Sequence, residues 1–354
     1  MRILFKIAAI FLLLNSLLAC SAKTYYKGPS SDHFDGHHFH NAEKDPYDGF
    51  SSFLYWKMTS KREAWPKNKN ALLDIPPERV WGDEMRVSYV GHATTLIQTQ
   101  GINILTDPVW SDWVGPDHWA SVERVAPPGI AWETLPPIDV VLISHSHYDH
   151  LDIPTLKKLW QRDHPLILAP LGTDTIVSEQ DSSIQIQTLD WYQYIKFDNQ
   201  TAIYLEPAQH WTRRYINDRD KALWAGYVIS TAGGNIYFAG DTGYAEGENF
   251  HRIQKKHGDF RLSLLPIGCY APRWYLSFQH LDPHEAVLAH KILASSSSLG
   301  IHYDTFQLGD EKYNQPITEL ALARKQYQVE EHEFRALKTG QSWYIPAEPP
   351  FDSR

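Results

Sequence analysis

The chain is nearly free of cysteine, with Cys20 and Cys269 the two present in 354 residues. A disulfide framework is therefore excluded, and packing must hold the fold. Long basic runs are also missing, and the formal net charge is -9. A polyanion is a poor partner for such a surface, which sets nucleic acid aside. Low-complexity tracts are absent, as is any linker within residues 86–345. Long apolar runs are missing except near the start, where "IAAIFLLLNSLLA" follows Arg2 and Lys6. That run is short for a membrane span and reads as a secretory signal. Hydrophobic residues at 43% and charged residues at 21% give a globular composition. The length suits one large α/β domain or two ordinary ones. Thirteen Trp and nineteen Tyr can fill a core or line a ligand surface.

The segment "LLAC" resembles a bacterial lipoprotein signal, which implies a lipid on Cys20 and, with Ser21 following, an outer-membrane address. Residues 1–19 are then a signal, 20–84 a lipid-anchored leader wrapping onto the domain, and 85–354 the domain itself. The leader reads as irregular. Its His33, His37, His38 and His40 fit no standard metal spacing, and their aromatic neighbours point to packing.

From Arg86 the pattern turns to strands: "RVSYVGH", "TTLIQT" and "INILTD" are short and β-branched, with Gly or polar breaks. "IDVVLISH" is continuously apolar, as expected for a strand buried on both faces. "DIPTLKKLWQRD" reads as a helix capped by Asp152, and helices are also expected at "PHEAVLAHKILA" and "ITELALARKQYQ". Clustered strands with helices between, in two similar halves, predict an α/β sandwich: two packed sheets with helices outside.

The stretch "VVLISHSHYDHLD" crowds His145, His147, Asp149 and His150 together where an inner strand ends. Histidines at i and i+2 point the same way while the backbone stays extended. One metal wants three or four ligands, so this cluster reads as half of a two-metal site. His210, Asp241 and His302 each follow another strand and can complete it. A lone His after a strand is usually structural; the set together is not readily explained that way.

These motifs resemble the metallo-β-lactamase fold. Together with "YVGHATTLIQTQGINILTDPVWS", "AQHWTRR", "LWAGYVI", "FAGDTGY", "LPIGCYAPRW", "HLDPHEAV" and "IHYDTFQL", residues 86–310 resemble the N-acylphosphatidylethanolamine-hydrolysing phospholipase D family. The resemblance implies an αββα sandwich of mixed sheets holding two Zn2+, although Fe or Mn suits the same donors. His145, His147 and His210 would hold one ion, Asp149, His150 and His302 the other, and Asp241 would bridge. Asp107 would orient a ligand histidine from behind, or simply make the turn before Pro108. His280 would line the substrate side and hydrogen-bond a phosphoryl oxygen, or pack in its loop. His92, Trp211, Arg273 and Trp274 are weaker candidates for the substrate mouth, with packing the alternative.

The implied reaction is attack by a hydroxide shared between the metals on a phospholipid phosphodiester, with Asp149 accepting a proton. N-acylethanolamine and phosphatidic acid would result. A lactonase, a different phosphodiesterase, or a non-enzymatic outer-membrane lipoprotein are the alternatives. Asp304 departs from the family pattern, and a carboxylate beside His302 is expected to tune the second metal or reject an anion.

Overall fold

The computed structural model describes residues 23–47, 49–67, 71–116 and 120–347. The signal, Cys20 and the lipid expected there lie outside these residues. Among the described residues, no helix is long and apolar enough to cross a membrane.

The first sheet contains β1 (Met85–Gly91), β2 (Thr94–Thr99), β3 (Ile102–Thr106), β6 (Val140–Leu142), β7 (Leu166–Pro170), β8 (Gln187–Leu189) and β16 (Ser342–Ile345). Its order is β16-β1-β2-β3-β6-β7-β8, antiparallel as far as β3 and parallel beyond it. A small ribbon pairs β4 (Trp113–Val114) with β5 (Val122–Glu123). The second sheet contains β9 (Tyr194–Lys196), β10 (Ala202–Glu206), β11 (Gly226–Thr231), β12 (Gly234–Phe238), β13 (Phe260–Pro266), β14 (Ser298–Ile301) and β15 (Phe334–Arg335). Its order is β15-β14-β13-β12-β11-β10-β9. The helices are α1 (Phe50–Thr59), α2 (Ile153–Asp163), α3 (Thr173–Ser178), α4 (Glu248–His257), α5 (Arg273–Leu276), α6 (Pro283–Ile292) and α7 (Gln315–Tyr327).

Alternation along the strands explains the layers. Ile97, Ile104, Val140 and Leu142 enter a central core with Ile203, Leu205, Ile229, Ile236, Leu262 and Leu264 of the other sheet. Their neighbours Leu96, Leu105, Val141 and Ile143 point the opposite way, onto Ile153, Leu156 and Leu159 of α2. Period-2 geometry thus turns a continuous apolar run into two buried faces. On the second sheet, Phe250, Ile253, Val287, Leu320 and Ala323 bring α4, α6 and α7 onto the core. This is the sandwich the sequence predicts.

Two local expectations need adjusting. Asp152 precedes α2, but its carboxylate binds Thr155 Oγ1 and the Trp110–Ser111 backbone instead of capping the helix amides. The segment before the sheets is not wholly irregular, because "FSSFLYW" begins α1. Several of its described residues touch the sandwich. Phe34 and Phe39 are buried, Trp56 Nε1 donates to Asp310 at 2.8 Å, and Trp65 Nε1 donates to the Glu311 carbonyl at 3.0 Å.

Candidate metal centre

The polar cluster sits where strands of both sheets end. Asp107 follows β3, and residues 144–151 follow β6. In the other sheet His210 follows β10, Asp241 follows β12 and His302 follows β14. The turns are sharp: φ is 31° at Asp107 and 66° at His302, values rarely adopted outside glycine and characteristic of functional sites. Gly240 needs its φ of 60°, and a Cβ there would lie 2.5 Å from Ser144 Cβ, so only glycine lets the two halves approach.

Two groups of donors result. His145 Nε2 lies 2.8 Å from His147 Nδ1, which is 3.3 Å from His210 Nε2. In the second group, His302 Nε2 is 3.2 Å from His150 Nε2 and 3.4 Å from Asp149 Oδ2. Asp241 Oδ2 stands between them, 3.1 Å from His302, 3.2 Å from His150 and 3.8 Å from His210. All seven ligand residues expected from the sequence are thus brought together.

The outer ring nitrogens fix the direction of the inner lone pairs. His210 Nδ1 donates to the Gln279 carbonyl at 3.0 Å, and His150 Nδ1 donates to Asp107 Oδ2 at 2.6 Å. Ser144 Oγ donates to Asp107 at 2.6 Å and lies 2.9 Å from His145 Nδ1, whose proton it accepts. With those protons outside, the Nε2 lone pairs of His145, His150 and His210 point inward. Converging lone pairs repel unless a cation lies among them. Asp241 Oδ1, buried without a partner, adds to that demand. The donor set fits divalent metal, and Asp107 stands where a ligand-orienting carboxylate should.

Burial lowers His147 and His210 to about 3, so both stay neutral and ready to ligate. Burial would also lower His302, but Asp241 and Asp149 outweigh it and raise it to about 9. Burial would raise Asp149 and Asp241, yet the imidazoles of His150 and His302 hold both well below the usual carboxylate range.

The remaining candidates separate. His280 Nδ1 is buried, lacks a hydrogen-bond partner and lies 3.8 Å from Asp241 Oδ2. Trp211 contacts the site edge, its ring 4.5 Å from that of His147, with the Arg219 guanidinium 4.1 Å over it. Trp274 packs among the rings of Tyr47, Tyr55 and Tyr275. For His92 and Arg273 the packing alternative holds, and the expectation for Asp304 is corrected. His92 is not a mouth residue: it is 1% exposed and backs Asp149, with Nε2 2.8 Å from Oδ2. Arg273 is already engaged, by Glu285 at 2.7 Å and the His280 carbonyl at 2.9 Å, so it braces the His280 loop. Asp304 directs its carboxylate to Thr339 Oγ1 at 3.3 Å, away from the ligands, because its φ of 64° reverses the chain.

Two contributors escaped the sequence reading. Arg214 is buried and donates to the Ser146 and Leu151 carbonyls, both at 2.9 Å, holding the His-rich loop. Its position in "AQHWTRR", four residues after His210, was the available signal. Cys269 ends β13 as the ligands end other strands, and its thiol approaches His280 and His302 to within 4.8 Å.

Comparison with known proteins agrees with this geometry. Residues 102–303 match the β-lactamase superfamily domain. An N-acyl-phosphatidylethanolamine-hydrolyzing phospholipase D of Caenorhabditis elegans is 31% identical over 80% of this chain and 84% of that protein. A metal-dependent hydrolase of Pyrobaculum neutrophilum is 26% identical over 63% of this chain and 86% of that one. Among solved structures, the metallo hydrolase Igni18 of Ignicoccus hospitalis shares the fold, with a TM-score of 0.55 and 22% identity over 75% of this chain and 100% of that one.

Proposed function

Since the chain belongs to the β-lactamase superfamily and is a metal-dependent hydrolase of that fold, we propose that it is a phosphodiesterase of phospholipase D type. Its substrates are N-acylphosphatidylethanolamine-like phospholipids. The observation carrying this reading is the 31% identity to the nematode phospholipase across most of both chains.

His145, His147 and His210 would hold one metal, Asp149, His150 and His302 a second, and Asp241 both; zinc suits these donors, as do iron and manganese. When bound, such ions polarise a phosphodiester and bring the pKa of water near neutrality. Asp149, kept ionised by its imidazole neighbours, accepts the proton of the attacking water. His280 stays neutral because burial lowers its pKa well below the usual value. It therefore donates a hydrogen bond, through Nδ1, to a phosphoryl oxygen as charge builds there. Water oxygen bonds to phosphorus, the bond to the N-acylethanolamine oxygen breaks, and that oxygen takes up a proton. Phosphatidic acid remains. Cys20 is proposed to carry the lipid that holds the protein at the outer membrane.

Incubating the zinc-loaded protein with N-acylphosphatidylethanolamine should release N-acylethanolamine and phosphatidic acid. His280→Ala should lower turnover by roughly 100-fold, as loss of one charge-stabilising donor does. Asp149→Asn and His302→Ala should abolish it. Lactone hydrolysis without phospholipid turnover would sink the reading, and undiminished turnover in the latter two variants would refute the residue roles.

A further inference from the structure

α1 is built inside out. An exposed helix ordinarily turns polar residues to water. Here Phe50, Leu54 and Met58, at i, i+4 and i+8, form one outward stripe at 76%, 45% and 77% exposure, with Tyr55 beside them at 60%. Trp56 faces inward, its ring 5.2 Å from that of Tyr275. The stripe is therefore not a misplaced core face; the helix has a second apolar face, on which Phe50, Leu54 and Met58 are open to solvent.

Its location matters. Tyr47 and Tyr55 both meet the Trp274 ring, at 5.6 and 5.4 Å. Trp274 lies on α5, whose Arg273 binds the His280 carbonyl. The helix thus packs against the short helix that braces the His280 loop. Upstream, the same segment runs along the site: Asn41 Nδ2 donates to the His210 carbonyl at 2.8 Å, and Lys23 lies 4.3 Å over the Tyr215 ring. Two residues separate Lys23 from Cys20, a reach of about 10 Å. Charge points the same way. In a chain of net charge -9, α1 contains no Asp or Glu, and Lys57 and Lys61 are exposed. Exposed apolar and aromatic side chains flanked by lysine suit contact with a lipid interface.

We propose that α1 docks on a phospholipid membrane surface, inserting Phe50, Leu54, Tyr55 and Met58 beside the mouth of the metal centre. A lipid then reaches the site from the bilayer plane without crossing water. The docking deepens the phospholipid reading and rests on it for its purpose, but its physical test is separate.

An environment-sensitive fluorophore on the thiol introduced by Met58→Cys, in a chain also carrying Cys269→Ser, should shift to the blue on adding phosphatidylcholine/phosphatidylglycerol vesicles. The same label in the Glu331→Cys, Cys269→Ser chain should not shift. An unchanged spectrum from the α1 label while the protein floats with the vesicles would overturn the docking. So would a blue shift that needs no vesicles and grows with protein concentration, since a second copy would then cover the stripe. Leu54→Glu with Met58→Glu should lower turnover of vesicle lipid at least tenfold and leave a monomeric short-chain analogue unaffected. Equal losses on both substrates would also overturn it. If wild type turned over neither, the reaction proposed above would fail while the fluorescence result still decided the docking.

Discussion

At the scale of single residues, Asp107 has the widest influence for a group outside the ligand set. It accepts from the Ser144 amide at 2.7 Å, the Ser144 hydroxyl and His150 Nδ1. Asp107→Asn supplies one acceptor where the carboxylate supplies two, so the His150 tautomer loses its support. Metal affinity, measured by competition with a chelator, should fall roughly 10–100-fold. The two ligand groups should also differ in pH response. A proton must leave His302, raised to about 9, before it ligates. One must also leave His150, which burial would lower but Asp241, Asp149 and Asp107 raise well above the usual imidazole range. Affinity at the Asp149–His150–His302 group should therefore rise with pH through and above neutrality. His147 and His210, lowered to about 3, are already deprotonated near neutrality, so their group should hold metal independently of pH there. Equilibrium dialysis with metal analysis should show two separable uptake curves; a single parallel loss would contradict this.

The seven candidate ligands were legible because each stands at a strand end with chemistry that strands seldom place there. Arg214 was not, since its work is to bind the Ser146 and Leu151 carbonyls, and its place in "AQHWTRR" signals nearness to His210 without naming those backbone acceptors. For His92 and Arg273 the sequence left substrate contact and packing open for a related reason. Motif membership locates a residue near the site, but only packing decides whether its side chain faces substrate, Asp149 or Glu285.

At the scale of elements, the turn after β12 holds other pieces in place. The Gln209 amide donates to Thr242 Oγ1 at 2.9 Å, and the Gly243 amide donates to the Gln209 carbonyl at 2.8 Å. A Cβ on Gly243 would lie 2.0 Å from the Phe278 carbonyl oxygen. Gly243→Ala must therefore push back the loop that carries His280. Displacements near 1 Å cost turnover roughly 100-fold, and kcat should show it while metal content stays at the wild-type level. Arg214→Ala removes two charge-assisted bonds from the loop after β6, and denaturant unfolding should report a loss of about 3 kcal/mol. The sandwich itself was readable from strand patterning, whereas α1 was not: its apolar face looks outward, so the core-facing periodicity that announces a helix is blurred.

At the scale of the whole molecule, each sheet contributes part of the donor set: residues 145–150 from one, His210, Asp241 and His302 from the other. Bound metal therefore ties the two layers together. Chelation should lower the thermal midpoint by on the order of 10 °C, and restoring zinc should recover it. A midpoint indifferent to chelator would mean that the layers hold without the ions.

The pairing of β1 with β16 also sets a schedule. Met85 lies opposite Ile345 and Ser88 opposite Ser342, so the first strand of the domain finds its outer neighbour only when the last is made. Arg261 of β13 adds to the seam by donating to the Ile345 and Pro346 carbonyls, both at 2.9 Å. During synthesis the N-terminal sheet keeps one edge bare until residues 342–345 have left the ribosome. A chain stopped at Gln341 would keep that edge open to other chains and should accumulate as aggregate.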